Sequence, residues 1–224
     1  CLVGSEMCIR DRLWTAYYLL ENDPSLRVLI IEKEFCGYGA SGRNGGWCEG
    51  ALAGGTEKYA KRSTMGEALR LERTMFQTVD EIQRVLDSED INCDFHKGGF
   101  VSVARNLPQA LRQRSAVELA RERGTAEEII RILDADEARA HVNATNVHSG
   151  IFFAPSAVVD PGKMVRGLAK AVERKGGTIV EGTTALSIST GKVVCTEGVV
   201  SADVIVQATE GYTRDIKGKK LDLL

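Results

Sequence analysis

The sequence lacks the features that mark nucleic-acid-binding, membrane and secreted proteins. Its 224 residues include 4 prolines and 6% aromatic residues, and the net charge is −2. A nearly neutral chain offers no basic surface for phosphates, so a nucleic-acid partner is not expected. No apolar run approaches the ~20 residues of a membrane span, and no secretory signal is recognisable at the beginning. The 6 cysteines follow no framework spacing, which favours free thiols in a cytoplasmic protein.

The glycine signature G-x-G-x-x-G is also missing, and the segment where it would stand is unusual. Residues 1–12, CLVGSEMCIRDR, show no periodicity, and EMCIRDR is similar to the translation of a transposon-end adapter used in sequencing libraries. We therefore expect residues 1–12 to be an artefact that replaces a first strand and its glycine turn. A natural frayed end is the alternative. The genuine sequence would begin near Leu13, and residues 215–224 read as a truncated tail.

The rest of the chain alternates between helical and strand patterns. Apolar residues at helical spacing from Leu13 to Leu20 predict a helix, and the run SLRVLIIE, which ends at Glu32, predicts a buried strand. A helix followed by such a strand is the second half of a βαβ unit. Further helices are predicted at 65–86, 107–124, 125–133, 134–142 and 161–175, the last with Asp160 as its N-cap. Short strands separated by tight turns after residue 177 predict an antiparallel meander and a final strand, Val204–Ala208.

The stretch Glu32–Trp47, EKEFCGYGASGRNGGW, holds the most specific pattern. In dinucleotide-binding folds an acid at the end of the second strand accepts hydrogen bonds from ribose hydroxyls, although a solvated strand end has the same sequence. Glycines let a ligand approach the backbone, and successive N–H groups can form an anion-binding nest. Ser41 and Arg43 suit a phosphate, and Asn44 would present an amide to a flat heterocycle. A flexible glycine loop is the alternative.

Three segments, in order, resemble the FAD-dependent D-amino-acid-oxidase-type family, which includes glycine, sarcosine and γ-glutamylputrescine oxidases. They are VLIIEKEFCGYGASGRNGGW, SAVVDPGKMVRGLAKAVERKGGTIVEGTTALSI and ADVIVQATEGYT. The resemblance runs from about Leu13 to Tyr212. It implies an α/β fold: an FAD/NAD(P)-binding Rossmann-like domain of the glutathione-reductase type with a β-meander and an inserted α+β substrate or cap domain, incomplete in this chain.

The resemblance also implies which residues contact the cofactor, FAD. Glu32 would bind ribose with Lys33 beside it, and Ala185 would offer its backbone to adenine. The full set of implied cofactor-binding residues is Glu32, Lys33, Ala40, Ser41, Arg43, Asn44, Gly45, Gly46, Ala185, Ala208, Thr209 and Gly211. No catalytic acid or base is implied, and no metal.

The chemistry that the resemblance implies is oxidation of a C–N bond. An amine or amino-acid substrate would pass a hydride to the flavin, the resulting imine would be hydrolysed, and oxygen or another acceptor would reoxidise the flavin. The alternatives are a flavin dehydrogenase with a non-oxygen acceptor and a non-catalytic FAD-binding or fragmentary gene product.

The implied domains are an FAD-binding domain at 13–88 and 150–214, interrupted by a partial substrate or cap domain at 89–149. The chain lacks the glycine signature and the C-terminal part of the family. It is therefore expected to hold FAD poorly and to be inactive on its own.

Three other features invite a functional interpretation. Cys48 follows the glycine stretch, where a reactive or flavin-linked thiol and an unreactive packed one are the two options. Cys93 and His96 have C-x-x-H spacing, but no second pair matches it, so zinc is not expected. Trp47 and Phe100 are either substrate-facing or packed aromatic residues.

Overall fold

The structure is a computed structural model that describes the backbone of residues 2–4 and 9–218, and the side chains from Arg12 onward within that range. Its helices are α1 (Ile9–Asn22), α2 (Thr56–Ala60), α3 (Met65–Ser88), α4 (Leu107–Glu122), α5 (Ala135–His141) and α6 (Pro161–Arg174). Its strands are β1 (Leu2–Gly4), β2 (Leu29–Glu32), β3 (Trp47–Glu49), β4 (Phe100–Ala104), β5 (Ile130–Leu133), β6 (Ser149–Phe153), β7 (Ser156–Val158), β8 (Thr178–Val180), β9 (Ala185–Ser189), β10 (Lys192–Cys195), β11 (Gly198–Ser201) and β12 (Val206–Ala208).

The chain forms two compact units, each built from separate stretches of sequence. The first comprises Cys1–Gly46, Leu86–Asp94 and Asp160–Leu224, and the second comprises Trp47–Val85 and Phe95–Val159. The predicted functional domains change at residues 88/89 and 149/150 instead. That division stays a prediction about function, because compactness alone does not assign a role to either part.

The first unit is built around a parallel sheet with the strand order β12-β1-β2-β8. Helices α1 and α6 lie against each other and bury one face each. The buried residues are Leu13, Ala16, Tyr17 and Leu20 on α1, and Met164, Val165, Leu168, Ala171 and Val172 on α6. These inner faces confirm the apolar spacing read from the sequence, because residues three or four apart share a helix face.

The sequence predicts that residues 1–12 replace the first strand and its glycine turn, and part of their backbone nevertheless belongs to the fold. Leu2–Gly4 forms β1 between β12 and β2, and α1 begins at Ile9 rather than at Leu13. This strand is only three residues long, which is too short for a periodic pattern to be visible in the sequence. Whether residues 1–12 are an artefact stays a prediction.

The predicted meander is confirmed in the first unit. Strands β9, β10 and β11 form an antiparallel sheet in the order β11-β10-β9, with a register shift between Val194 and Cys195. Val193 and Cys195 are buried on one face of β10 together with Ile31 of β2. Alternation along β10 therefore points every second side chain into this core.

The second unit contains an antiparallel sheet in the order β4-β6-β5 and a separate pair, β3 and β7. The helix predicted at 125–133 was wrong, since Ile130–Leu133 is strand β5 and pairs with β6. The isoleucines at 130 and 132 suit a pleated strand, and the neighbour β6, about 20 residues later, supplies hydrogen bonds that a local pattern cannot show. The next predicted helix, α5, is confirmed and carries a capping box between Asp134 and Glu137.

Within residues 2–4 and 9–218, every helix is too short or too polar to cross a bilayer.

Candidate cofactor-binding site

The carboxyl ends of three parallel strands are level in the first unit. Gly4 of β1 is the register partner of Glu32 on one side and of Ala208 on the other. Neighbouring strands lie about 4.8 Å apart, so Glu32 and Ala208 are roughly 10 Å apart at the same edge of the sheet. Ligands of open α/β sheets bind at this edge.

Glu32 is fully buried at the end of β2. Its Oε2 accepts a hydrogen bond from Nη2 of Arg12 at 2.5 Å, and its Oε1 accepts one from the backbone N–H of Glu34 at 3.1 Å. Arg12, also fully buried, donates from Nη1 to the carbonyl oxygen of Ile31 at 2.7 Å. Lys33 has a half-exposed side chain, whose Nζ lies 4.0 Å from Oε1 of Glu34. The acid therefore has a charged partner within the protein.

The glycine-rich stretch after β2 is a tight, braced loop. Gly37 and Gly46 have φ values of 95° and 72°, a region that favours glycine, and Ala40–Gly42 forms a 3-10 turn between them. Asn44 donates from Nδ2 to the carbonyl oxygens of Ala40 and Ser41, at 3.0 and 3.1 Å, and accepts from the N–H of Gly46 at 2.9 Å. The sequence led us to expect an amide directed at a ligand, whereas here the amide holds the loop closed.

The side chains of the loop differ in exposure. Ser41 is buried, whereas Ala40, Arg43, Asn44 and Gly45 are exposed. The guanidinium of Arg43 lies over the ring of Tyr38, 4.6 Å from its centroid. A cation–π contact of this kind orients the guanidinium without neutralising it, so Arg43 keeps its charge for an anion.

The loop lies against the first turns of α6. A β-carbon on Gly162 would be 3.4 Å from the carbonyl oxygen of Gly42, and one on Gly37 would be 3.5 Å from Val165. Asp160 caps this helix through Oδ1, which accepts from the N–H of Lys163 at 2.9 Å. The predicted cap thus fixes the helix end on which the loop rests.

The remaining predicted residues lie at the neighbouring strand ends. The N–H of Thr183 donates to the carbonyl oxygen of Glu32 at 2.9 Å, which brings the segment before Ala185 beside the acid. Beyond β12, the hydroxyls of Thr209 and Thr213 are 2.7 Å apart, and Gly211 donates its N–H to Oε2 of Glu210. The fold gathers Glu32, residues 40–46 and Ala208 at or directly beyond the strand ends of the first unit. Their assignment as cofactor contacts stays a prediction.

Sequence reasoning missed two residues here. Arg12 gave no usable signal, because it belongs to the segment set aside as foreign and its partner is 20 residues away. Glu181 follows the apolar strand β8 as Glu32 ends β2, a repeated pattern that could have revealed it. Its Oε1 accepts from the N–H of Cys36 at 2.7 Å. Burial first, and the charge of Glu181 second, raise the pKa of Cys36 to about 12.

Three other predicted features have clear positions. In the part of the chain that the structure describes, no disulfide joins Cys36, Cys48, Cys93 or Cys195 to another of these cysteines, and Cys48 is partly exposed in β3. No three His, Cys, Asp or Glu residues among the described ones are placed to hold a metal. Trp47 and Phe100 lie with ring centroids 5.6 Å apart, so they contact each other within the second unit.

A parallel sheet with level carboxyl ends and an acid closing β2 defines an α/β protein of the dinucleotide-binding class. Residues 13–223 match the family described as DAO, FAD dependent oxidoreductase. The chain belongs to this family, and its cofactor is FAD. This confirms the predicted family, cofactor and Rossmann-like fold class.

Known proteins agree with this assignment. Gamma-glutamylputrescine oxidoreductase of Escherichia coli (strain K12) is 27% identical over 218 residues, which are 96% of this chain and 49% of that protein. A probable oxidoreductase, OrdL, of Haemophilus influenzae is 27% identical over 194 residues, 83% of this chain and 44% of that protein. The solved glycine oxidase from Geobacillus kaustophilus has a TM-score of 0.75 at 20% identity, covering 98% of this chain and 57% of its own, and shows the shared fold. The chain spans about half the length of the curated relatives it matches.

The described residues fit FAD only in part. Ala40, Arg43, Asn44 and Gly45 are exposed at the sheet edge, but the N–H groups of Gly42 and Arg43 already donate to the carbonyl oxygens of Gly39 and Ala40, and that of Gly46 donates to Oδ1 of Asn44. Glu32 does not fit a ribose as the side chains stand, because it is fully buried and bound to Arg12.

Proposed function

We propose that the complete protein is an FAD-dependent oxidoreductase that oxidises a C–N bond of an amine or amino acid. The observation that carries the proposal is the family match over residues 13–223. Relatives named for γ-glutamylputrescine and for glycine support this substrate class. Oxidation of such a bond removes two electrons and two protons and gives an imine, which water hydrolyses.

In such an enzyme FAD supplies the electron acceptor, and the protein supplies binding, orientation and electrostatics. The predicted contacts divide by chemistry, with Arg43 and the backbone of 40–46 suited to the diphosphate and Ala185 suited to adenine. Residues 89–149 keep the role of substrate or cap domain in this proposal. A cytoplasmic location is also part of it, on the ground of the cysteine pattern in the sequence.

The experiment is flavin reduction without oxygen. Protein from the complete reading frame, loaded with FAD, is mixed anaerobically with D-amino acids, N-methyl amino acids and polyamine conjugates while absorbance near 450 nm is followed. Bleaching by one class is expected, and free FAD with the same compounds is the control. A flavin that stays oxidised with all three classes contradicts the proposal.

A second candidate is a dehydrogenase that passes electrons to an acceptor other than oxygen. The same preparation, mixed with its best substrate in air, separates the two. Peroxide released in step with substrate consumption identifies an oxidase, whereas turnover that needs an added quinone or dye identifies a dehydrogenase.

A further inference from the structure

We infer that Arg12 competes with the adenosine ribose for Glu32, so that a nucleotide reaches this acid in the present chain only after the guanidinium has left it. The inference rests on the proposed function in one respect. It takes the acid that closes β2 to be the ribose-binding group of the site.

Both oxygens of Glu32 are already in use. Oε2 receives Nη2 of Arg12 at 2.5 Å, and Oε1 receives the N–H of Glu34 at 3.1 Å. The exposed fraction of both Glu32 and Arg12 is 0%. A ribose cannot approach either oxygen without moving protein atoms, and the guanidinium is the group that a side-chain rotation can remove.

The ribose and Arg12 would both donate hydrogen bonds to Glu32, but these bonds differ in strength. Ribose hydroxyls and guanidinium N–H groups both donate to a carboxylate, but the hydrogen bond from the guanidinium is charge-assisted and stronger. Arg12 also donates to the carbonyl oxygen of Ile31 at 2.7 Å, a bond that is lost if the side chain leaves. Arg12 is therefore the preferred partner until a ligand offers compensating contacts elsewhere.

Burial raises the free-energy cost of separating Arg12 from Glu32. A guanidinium that leaves a carboxylate in a water-excluded place must find another partner or reach solvent, because an unpaired buried charge is costly. Arg12 lies near the beginning of α1, so its departure requires adjustment of that first turn or of the side chain within it. Nucleotide binding is thus coupled to the N-terminal part of this helix.

The test measures binding of ADP, which carries the ribose and the diphosphate but no flavin, by isothermal titration calorimetry on the full chain. Arg12→Ala is expected to bind ADP at least about tenfold more tightly than the unaltered chain. Arg27→Ala removes the same charge from an exposed position of the first unit and is expected to leave affinity unchanged. The double variant Arg12→Ala/Glu32→Gln is expected to lose the gain. An Arg12→Ala chain that binds ADP no more tightly than Arg27→Ala overturns the inference.

Arg12→Ala leaves Glu32 without its charged partner, so circular dichroism must show that the variant is folded. Arg12→Gln provides the second variant, because a neutral amide still donates to Glu32 but competes less strongly. It is expected to bind ADP more tightly than the unaltered chain, and no gain in a folded Arg12→Gln chain also overturns the inference.

The outcome is separable from that of the proposed function. If no amine reduces the flavin, the proposed reaction is contradicted, but the ADP binding measurement still tests the inference. If an amine reduces the flavin but the Arg12 variants bind ADP no more tightly, only the inferred competition between Arg12 and the ribose is overturned.

Discussion

A β-carbon on Gly42 would lie 2.1 Å from the carbonyl oxygen of Gly37. No nonbonded pair of heavy atoms approaches so closely, so the loop at the sheet edge closes on itself only with glycine at 42. Both atoms that meet belong to the backbone, and no side-chain rotation relieves the contact. The tight turn is thus a packing requirement of the folded chain.

Gly42→Ala is expected to lower the free energy of unfolding by about 1–3 kcal/mol, because the loop must shift to admit the methyl group. Urea denaturation followed by circular dichroism measures it. Gly66→Ala adds the same group near the beginning of α3, where the nearest atom is 3.9 Å away, and is expected to leave stability unchanged or to raise it by up to about 1 kcal/mol, because alanine favours a helix. Equal effects at the two positions would contradict the argument.

Asp160→Ala is expected to cost about 1 kcal/mol of stability, because Oδ1 no longer accepts from the N–H of Lys163 at the beginning of α6. Asp160→Asn keeps an oxygen at the same place and serves as the matched control. Denaturation midpoints of the two variants are compared under one condition. If Asp160→Asn loses as much stability as Asp160→Ala, the charge of Asp160 and not its capping hydrogen bond is responsible.

The carboxylate of Glu89 makes stability depend on pH. Burial alone would raise its pKa, but hydrogen bonds from Lys175, Arg174 and Tyr17 outweigh burial and lower the pKa below the ordinary value. A carboxylate with a lowered pKa stabilises the folded state above the pKa of the unfolded chain, and this contribution is lost as the pH falls through the lower, folded-state pKa.

Glu89→Gln is therefore expected to lower the free energy of unfolding by about 1–2 kcal/mol at neutral pH, with the difference shrinking below about pH 4. Unfolding free energies from pH 3 to 8 provide the measurement. Glu197→Gln, at an exposed position of the first unit, is the control and is expected to have little effect throughout. A difference for Glu89→Gln that grows towards acid pH would refute the assignment.

Cys36 is expected to resist alkylation. Burial and the nearby Glu181 raise its pKa to about 12, so almost none of it is thiolate at pH 8, where the thiolate is the reactive form. With iodoacetamide, mass spectrometry of the peptides should show Cys36 reacting at least ~100-fold more slowly than the partly exposed Cys48. In denaturant the two rates should converge. Similar rates in the folded chain would mean that Cys36 is accessible.

Helix α6 shows why some elements could be predicted in full. Asp160, Pro161 and the apolar spacing from Met164 to Val172 all lie within one short segment, and each acts through neighbours three or four residues away. Strand β5 shows the opposite case. Its isoleucines fit a helix or a strand. It forms a strand because it pairs with β6, which begins about 20 residues after β5 begins.

The candidate site divides in the same way. The acid at Glu32 and the glycines of the loop could be read in sequence, because a strand end and a tight turn have local signatures. The use of Asn44 inside the loop could not be read, since an amide has both donors and an acceptor and its partners depend on how the turn closes.

The sequence by itself determined the family, the order of most helices and strands, and the segments that meet at the carboxyl edge of the sheet. The family follows from the resemblance of three segments in family order, and the helices and strands follow from periodicity and caps, which act over a few residues. Only the tertiary structure decided that Arg12 and Glu32 form a buried ion pair. Their contact exists because α1 and β2 fold back on each other, and both side chains are almost fully buried where they meet.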